Sequence, residues 1–351
     1  MKNLFLALGV AAMAVSATAA DMTALTNYAK RALPKCPDAV VHLEALPQQG
    51  PAGFQAFELT QKSSDSSCGA QKVLLYSPTT RQILLGTIFA LPMDSRPVDQ
   101  RVADQASQLL KQPMTATVSA FPLPDRIRGV AMTKKTPYGN FSYHGYVDGA
   151  ERFLIVGTRG NLNGDPGKTL LEALNAKTAG VWRGSNTAKN EIVELSDFQC
   201  PTCGRAHKTL EPLIAKKLKN VRYARLDLPL FEHHEWSFPA AMGARAIQKV
   251  APAQYWAYTD FIFQNQENIS KAKSFDQVLK DFCEDHDINW KAIAKIYNDP
   301  AEKQNLMDQV SLAFDNGIVS TPTYIINGQV MGYGPEGKFT IDAVKAAIGA
   351  K

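Results

Sequence analysis

The feature that most restricts the fold of this chain is a pair of cysteines, two residues apart, set between an apolar strand and a helix. Ile192-Val193-Glu194-Leu195-Ser196-Asp197-Phe198 reads as a strand ending in a turn. Cys200-Pro201-Thr202-Cys203 follows, and helical sequence continues to about Leu218 with a break near Pro212. A thiolate at a helix start faces unpaired backbone N–H groups and the positive end of the helix dipole, which stabilises the anion and lowers the thiol pKa. Pro201 suits the first helical position, where a missing N–H costs nothing. Cys203 sits one turn deeper and can attack a mixed disulfide made by the first cysteine, releasing the partner. Cys200 is therefore assigned as nucleophile and Cys203 as resolving thiol, with Pro201 and Thr202 as the dipeptide between them. The competing readings are a structural disulfide or half of a zinc site. Zinc needs a second ligand pair, and no other Cys-x-x-Cys or His pair at ligand spacing exists; His233 and His234 are adjacent. No metal is expected, and no cofactor beyond a Cys200–Cys203 disulfide.

The N-terminus bears on the redox setting. Met1 to Ala20 has a charged Lys2, an apolar run of twelve residues from Leu4 to Val15, and then Ala17, Thr18, Ala19 and Ala20. This reads as a secretory signal peptide over 1–20, cleaved after Ala19 or Ala20, with an uncleaved anchor as the alternative. Export places the protein in an oxidising compartment, expected to be a periplasm. The net charge of +5 is spread along the chain, so no basic face argues for nucleic acid.

A length of 351 residues suggests about two domains. A polar stretch, Arg183 to Asn190, precedes the apolar strand. It places an α+β N-terminal domain at 21–183, a linker at 184–190 and the second domain at 191–351. Short strands are predicted at Val40–Leu46, Phe54–Gln61, Val73–Tyr76 and Ile83–Ala90. A helix follows, with Val98, Val102, Ala106, Leu109 and Leu110 on one face. Tyr76-x4-Arg81-x-Ile83-Leu84-Leu85-Gly86-Thr87 returns about 70 residues later as Tyr146-x5-Arg152-Phe153-Leu154-Ile155-Val156-Gly157-Thr158. This suggests a duplicated β-hairpin-helix unit, its second helix running near Gly167 to Val181. Cys36 and Cys68 are expected to form a structural disulfide, whose loop would contribute on the order of 3 to 4 kcal/mol by restricting the unfolded chain.

Near the other end, Gly317 to Gly328 reads as a loop, a proline, and a hairpin turning at Asn327-Gly328. Val193 to Cys203 together with Ser320-Thr321-Pro322-Thr323 resembles the DsbA-like thioredoxin family over about 160 residues from Asn190 onward. The resemblance implies a thioredoxin fold in which Pro322 is cis, and the Thr321 backbone pairs with an extended substrate segment. Glu194 lies six residues before Cys200 on a strand expected to be buried, and the resemblance matches it to a buried acid that could carry the proton Cys203 must lose; the alternative is a solvated strand-edge glutamate. His207 reads as a solvated helix residue. Helical sequence over about 236–316 is the insertion such proteins carry. Within it, Ser274 and Gln277 form a capping box, and Phe275, Val278, Leu279, Phe282 and Cys283 share a face, making Cys283 a buried core thiol. Tyr255, Trp256, Tyr258, Phe261 and Phe263 read mostly as core. Tyr146 to Leu162 resembles, over about 20 residues, the hairpin of the dimerisation domain in DsbC/DsbG-type isomerases, which implies a homodimer.

These readings combine into a secreted thiol–disulfide oxidoreductase, acting as oxidase, isomerase or both. Its expected partners are unfolded or misoxidised secreted proteins and a membrane redox partner of the DsbB or DsbD type. The alternative from another class is a holdase chaperone whose thiols are incidental.

Overall fold

The computed structural model describes residues 18–47, 50–64, 68–332 and 338–349. The expected signal peptide lies almost wholly outside them. Thr18 caps a helix, α1 (Ala19–Ala32): its hydroxyl accepts from the Asp21 N–H, and the Asp21 carboxylate accepts from the Thr18 N–H. The expected cleavage after Ala19 or Ala20 thus falls inside the first turn of α1.

Two compact units share the chain. The first runs to Leu33 and takes in Asp38–Met132 and His144–Pro166; the second takes in Pro34–Pro37, Thr133–Tyr143 and everything from Gly167 onward. After α1 come β1 (Val40–Ala45), β2 (Gln55–Lys62), β3 (Ala70–Tyr76), β4 (Gln82–Ala90), α2 (Val98–Leu110), β5 (Thr115–Pro122), β6 (Arg128–Thr136), β7 (Gly139–Val147) and β8 (Phe153–Asn161). The eight strands make one sheet in the order β1-β2-β3-β4-β8-β7-β6-β5. It is two four-stranded meanders joined where β4 runs antiparallel to β8. Gly86 and Gly157, which align in the sequence repeat, are register partners at that junction. Equivalent strands meet at equivalent residues, as a local two-fold requires.

The glycines are there because the two backbones come close. A Cβ on Gly86 would drive into the Val156 carbonyl, and one on Gly157 into that of Leu85. We expect Gly86→Ala or Gly157→Ala to destabilise the chain by about 1 to 3 kcal/mol, the range for overpacking. A denaturation midpoint equal to the parent's would disprove the close approach.

Side chains alternate across the sheet as a pleat demands. Phe57, Leu59, Leu74, Tyr76, Ile83 and Leu85 pack with Leu25, Ala29 and Leu33 of the α1 segment. Ala56, Leu75 and Leu84 join Phe54, Ile127 and Ile155 in a separate cluster. α2 departs from expectation: Val102 and Ala106 are buried, but Leu109 and Leu110 are exposed. Arg101 takes an inward place instead, because its guanidinium donates to the carbonyls of Pro92, Arg96 and Glu151.

The second unit continues with α3 (Pro166–Ala173), α4 (Ala176–Ala179), β9 (Val181–Gly184), β10 (Asn190–Ser196), α5 (Pro201–Ala215), β11 (Val221–Asp227), α6 (Ser237–Val250), α7 (Tyr255–Gln264), α8 (Gln266–Ile269), α9 (Phe275–Asp285), α10 (Trp290–Tyr297), α11 (Pro300–Asp315), β12 (Thr323–Ile326), β13 (Gln329–Val330) and α12 (Lys338–Ile348). Its sheet has the order β13-β12-β10-β11-β9, with β10 parallel to β11 and antiparallel to β12. Residues of α5 and α12 cover one side (Leu210, Ile214, Val344, Ile348). The insertion α6–α11 supplies the larger core with Val193, Leu195, Ala224 and Leu226 of the sheet. The hairpin predicted at Asn327-Gly328 forms, both residues having positive φ, as a two-residue turn of this kind needs.

The division between the units differs from the sequence reading. The expected linker at 184–190 begins inside β9, whose Val181, Trp182 and Arg183 pair with Arg225, Ala224 and Tyr223. The single helix expected near 167–181 is broken by Asn175 in the left-handed region. The tip of the β6–β7 hairpin also belongs to the second unit. Phe141 is buried in its main core, and Tyr138 stacks on Phe238 with ring centroids 4.1 Å apart. A hairpin tip that serves a distant core carries no local pattern by which sequence reading could assign it.

Candidate active site

β10 is a central strand covered on both faces, so Ile192 to Ser196 are all buried. It ends at Ser196, and four residues later Cys200 caps α5 in extended conformation, with Pro201 at the first helical position. Cys200 and Cys203 are free thiols, 8% and 0% exposed, so this is the dithiol form of the site. The Cys200 thiol donates to the Thr321 carbonyl at 3.5 Å, and the Thr321–Pro322 peptide is cis. The fold thus brings Cys200, Thr321 and Pro322 together across 121 residues of chain. The buried Thr321 hydroxyl faces the same sulfur.

The two thiols are driven apart in acidity. Hydrogen bonding from the Cys203 thiol pulls the Cys200 pKa down to about 5; burial opposes this, and the N–H groups of Cys203 and Thr202 and the Thr321 hydroxyl reinforce it. Cys203 is pushed well above the ordinary thiol value, first by burial and then by its donation to Cys200 and by the Cys200 charge. One sulfur is a ready nucleophile and its neighbour keeps its proton.

The turn before Cys200 is fastened from the segment that follows β11 and from the insertion. Asp197, fully buried, accepts from the Gln199 N–H at 2.7 Å and the Leu230 N–H at 2.8 Å, and meets His234 Nδ1 at 2.7 Å. Gln199 Oε1 accepts from the Trp236 N–H at 2.6 Å. From α8, the Gln266 amide donates to the carbonyls of Phe198 at 2.8 Å and Cys200 at 3.0 Å. Gly204 leaves room for that side chain, since a Cβ there would collide with it. The insertion therefore sets the position of the nucleophile.

Behind the cysteines lies a buried polar cluster. Glu194 is buried and accepts a hydrogen bond from the Tyr223 hydroxyl. Its other oxygen, Oε1, has no hydrogen-bond partner, and neither does the hydroxyl of Tyr324, its register partner on β12. Burial first, and then the Glu194 charge, push the Tyr324 phenol well above its ordinary value. Arg225 is also buried, paired with Asp227 and lying 3.8 Å from the centroid of the Phe198 ring.

Other expected residues are placed as follows. Cys36 and Cys68 are both disulfide-bonded. Cys283 is fully buried among the insertion's apolar residues, and burial pushes its thiol up to about 11. Ser274 does cap α9 through the Gln277 N–H, but the Gln277 side chain turns to Asp281, so the box is only half formed. Of the aromatic group, Tyr255, Tyr258 and Phe263 are core, while Trp256 and Phe261 pack on it partly exposed. His207 is not solvated as expected: it is 6% exposed, with Nε2 2.7 Å from Asp260 and its ring against Phe263. The inward face of α5 meets α7, which helical spacing alone does not reveal. Among the described residues no three His, Cys, Asp or Glu side chains are grouped to hold a metal.

Residues 176–350 match the family model described as Thioredoxin. With the strand–Cys-x-x-Cys–helix site, the cis Thr321–Pro322 peptide opposite it and the helical insertion, this region has a thioredoxin fold, preceded by a separate β-rich N-terminal unit. Over 166 residues the chain is 27% identical to the Na(+)/H(+) antiporter NhaA 3 of Salinispora tropica, covering 47% of this chain and 24% of that protein. It is 26% identical over 166 residues to the antiporter NhaA 1 of Salinispora arenicola. The chain therefore spans about a quarter of the length of the curated relatives it matches. Among solved structures, the thiol-disulfide oxidoreductase MdbA of Corynebacterium diphtheriae aligns with TM-score 0.41 and 18% identity, over 48% of this chain and 91% of its own. BdbD of Bacillus subtilis aligns with TM-score 0.41 and 18% identity, over 50% and 95%.

Proposed function

We propose that this protein exchanges disulfides with secreted protein substrates, Cys200 making the mixed disulfide and Cys203 resolving it. The observation that carries this reading is the split between the two thiols at the start of α5, with the Thr321 main chain beside the nucleophile. In the oxidising direction a substrate thiolate attacks Cys200 Sγ of the Cys200–Cys203 disulfide, and Cys203 leaves and takes up a proton. The second substrate thiolate then attacks the substrate sulfur of the mixed disulfide, releasing Cys200 as thiolate. Two electrons pass from substrate to enzyme, and a membrane partner of the DsbB type would remove them; run in reverse under a DsbD-type donor, the same steps reduce or reshuffle. A stabilised Cys200 thiolate favours the dithiol form and hence oxidation of the substrate. The oxidase direction predicts a reduction potential above about −200 mV against glutathione. A value below about −250 mV, as in reductants of the thioredoxin type, would overturn it. Catalysed reduction of insulin tests exchange itself, and an inert protein would sink the proposal.

Export to a periplasm and a homodimer formed through the N-terminal unit complete the reading. N-terminal sequencing of the mature protein and its mass in solution test them; a retained Met1 or a strict monomer would refute the respective part. Among the described residues no helix is long and apolar enough to cross a membrane.

Glu194, buried on the strand that leads to the site, is proposed as the proton relay for Cys203. We expect Glu194→Gln to slow resolution of the mixed disulfide by on the order of a hundredfold, general acid–base catalysis having that scale. Single-turnover release of a labelled substrate measures it. Unchanged release at neutral pH would remove Glu194 from the mechanism.

A further inference from the structure

The Pro201-Thr202 dipeptide carries no charge, and the closest basic residue on α5, Arg205, is turned to the Thr202 hydroxyl at 2.9 Å. A titratable side chain does reach the site from elsewhere. The segment between β11 and α6 returns to the turn before Cys200 and sets His234 against Asp197, Nδ1 to Oδ2 at 2.7 Å. We propose that His234, anchored by Asp197, is a positioning residue whose imidazolium stabilises the Cys200 thiolate, in place of a charged group within the active-site dipeptide. The inference rests on the reading of Cys200 as the exchange nucleophile.

The geometry supports this in three ways. First, the Asp197 side chain is 0% exposed and His234 only 21%, so their interaction is shielded from bulk water. Second, the pair is continuous with the nucleophile: the Asp197 carboxylate accepts the Gln199 N–H, and its main-chain carbonyl accepts the Cys200 N–H at 3.2 Å. Movement or loss of charge at His234 is therefore felt one residue from the thiol. Third, few other charges compete. Asp197 faces the ring from the β10–α5 turn, and the Cys200 charge acts on it from the cap of α5. On its own segment Glu232 pairs with Lys134, leaving the neighbours His233 and Glu235.

The Asp197 contact raises the imidazole pKa, against partial burial, and the Cys200 charge raises it further. Coupling between two sites is reciprocal: if the thiolate favours the imidazolium, the imidazolium favours the thiolate by the same factor. His234 makes no hydrogen bond to the sulfur, so its part is electrostatic and orienting. As pH rises through the histidine's pKa, this support for an already ionised Cys200 is withdrawn.

The test uses the reduced full-length protein and the thiolate absorbance near 240 nm as a function of pH. His234→Gln keeps a donor for Asp197 but not the charge. The expected result is a Cys200 titration displaced upward, three- to tenfold in proton affinity, and a disulfide equilibrium with glutathione displaced by a similar factor toward a less oxidising site. A titration that superimposes on the parent's overturns the proposal. A measurement on the parent protein guards against a variant that fails to fold. The His234 ring protons, followed by NMR, should titrate at higher pH in the dithiol form than in the disulfide form; equal values in the two forms overturn the proposal. Insulin reduction is read separately. If the two titrations are coupled but insulin is untouched, Cys200 loses its assigned role and the coupling stands.

Discussion

Cys200→Ser is expected to abolish disulfide exchange, lowering insulin reduction by on the order of a thousandfold or more, since removing a nucleophile leaves only binding. The substitution exchanges one small side chain for another at the helix cap, so the far-ultraviolet circular dichroism should stay close to the parent's. Cys203→Ser has a different expected signature. Cys200 can still attack, but nothing resolves the product, so mixed disulfides with substrate should accumulate and be visible on non-reducing gels. Exchange near parental rates in Cys200→Ser would show that the chemistry lies elsewhere. Trapping by Cys200→Ser rather than Cys203→Ser would reverse the two roles.

The second large effect is on stability, and it belongs to the dithiol form alone. The Cys200 pKa is about 5 in the folded protein, against an ordinary thiol value near 9. Between those limits the unfolded chain binds a proton that the folded chain has released, so stability rises with pH. The contribution is fully present above the unfolded pKa and is lost as pH falls through the folded one. Four units correspond to about 5 kcal/mol as a ceiling. Cys203 is shifted the other way, and its opposing effect begins only above the ordinary thiol value. Guanidinium unfolding of the dithiol and disulfide forms at pH 5, 6.5 and 8 measures the effect. The dithiol form should gain on the disulfide form by several kcal/mol between the two extremes. A difference that does not change with pH would mean that Cys200 is not held as a thiolate.

The parts of the site legible in the sequence were those whose chemistry and local structure share one short segment. Cys200-Pro201-Thr202-Cys203 specifies both the thiols and the helix start, and Ser320-Thr321-Pro322-Thr323 both the proline and the following strand. Glu194 was legible through its distance from Cys200 on a strand too apolar to be solvated. His234 and Gln266 were not. Each is an ordinary polar residue in its own neighbourhood, and its meaning comes from a carboxylate or a carbonyl that only the folded chain brings within 3.0 Å. His207 failed for a related reason, because its partner Asp260 is 53 residues away. In the first unit, the repeat was visible because Gly86 and Gly157 are demanded by the same close approach. The edges of the units were not, because β9 and the β6–β7 tip obey strand patterns that are silent about which sheet or core they join.

The discontinuity of the second unit bears on how the protein is made. Ser142, near the hairpin tip, donates its N–H to Ser311, 169 residues later in the chain. At about 5 to 20 residues per second, synthesis leaves roughly 10 to 30 s between the two. Through that interval Tyr138, Phe141 and Tyr143 have no cover, because Phe231, Phe238 and Phe314 do not yet exist. The nascent chain thus carries an aromatic segment whose burial waits on its last third.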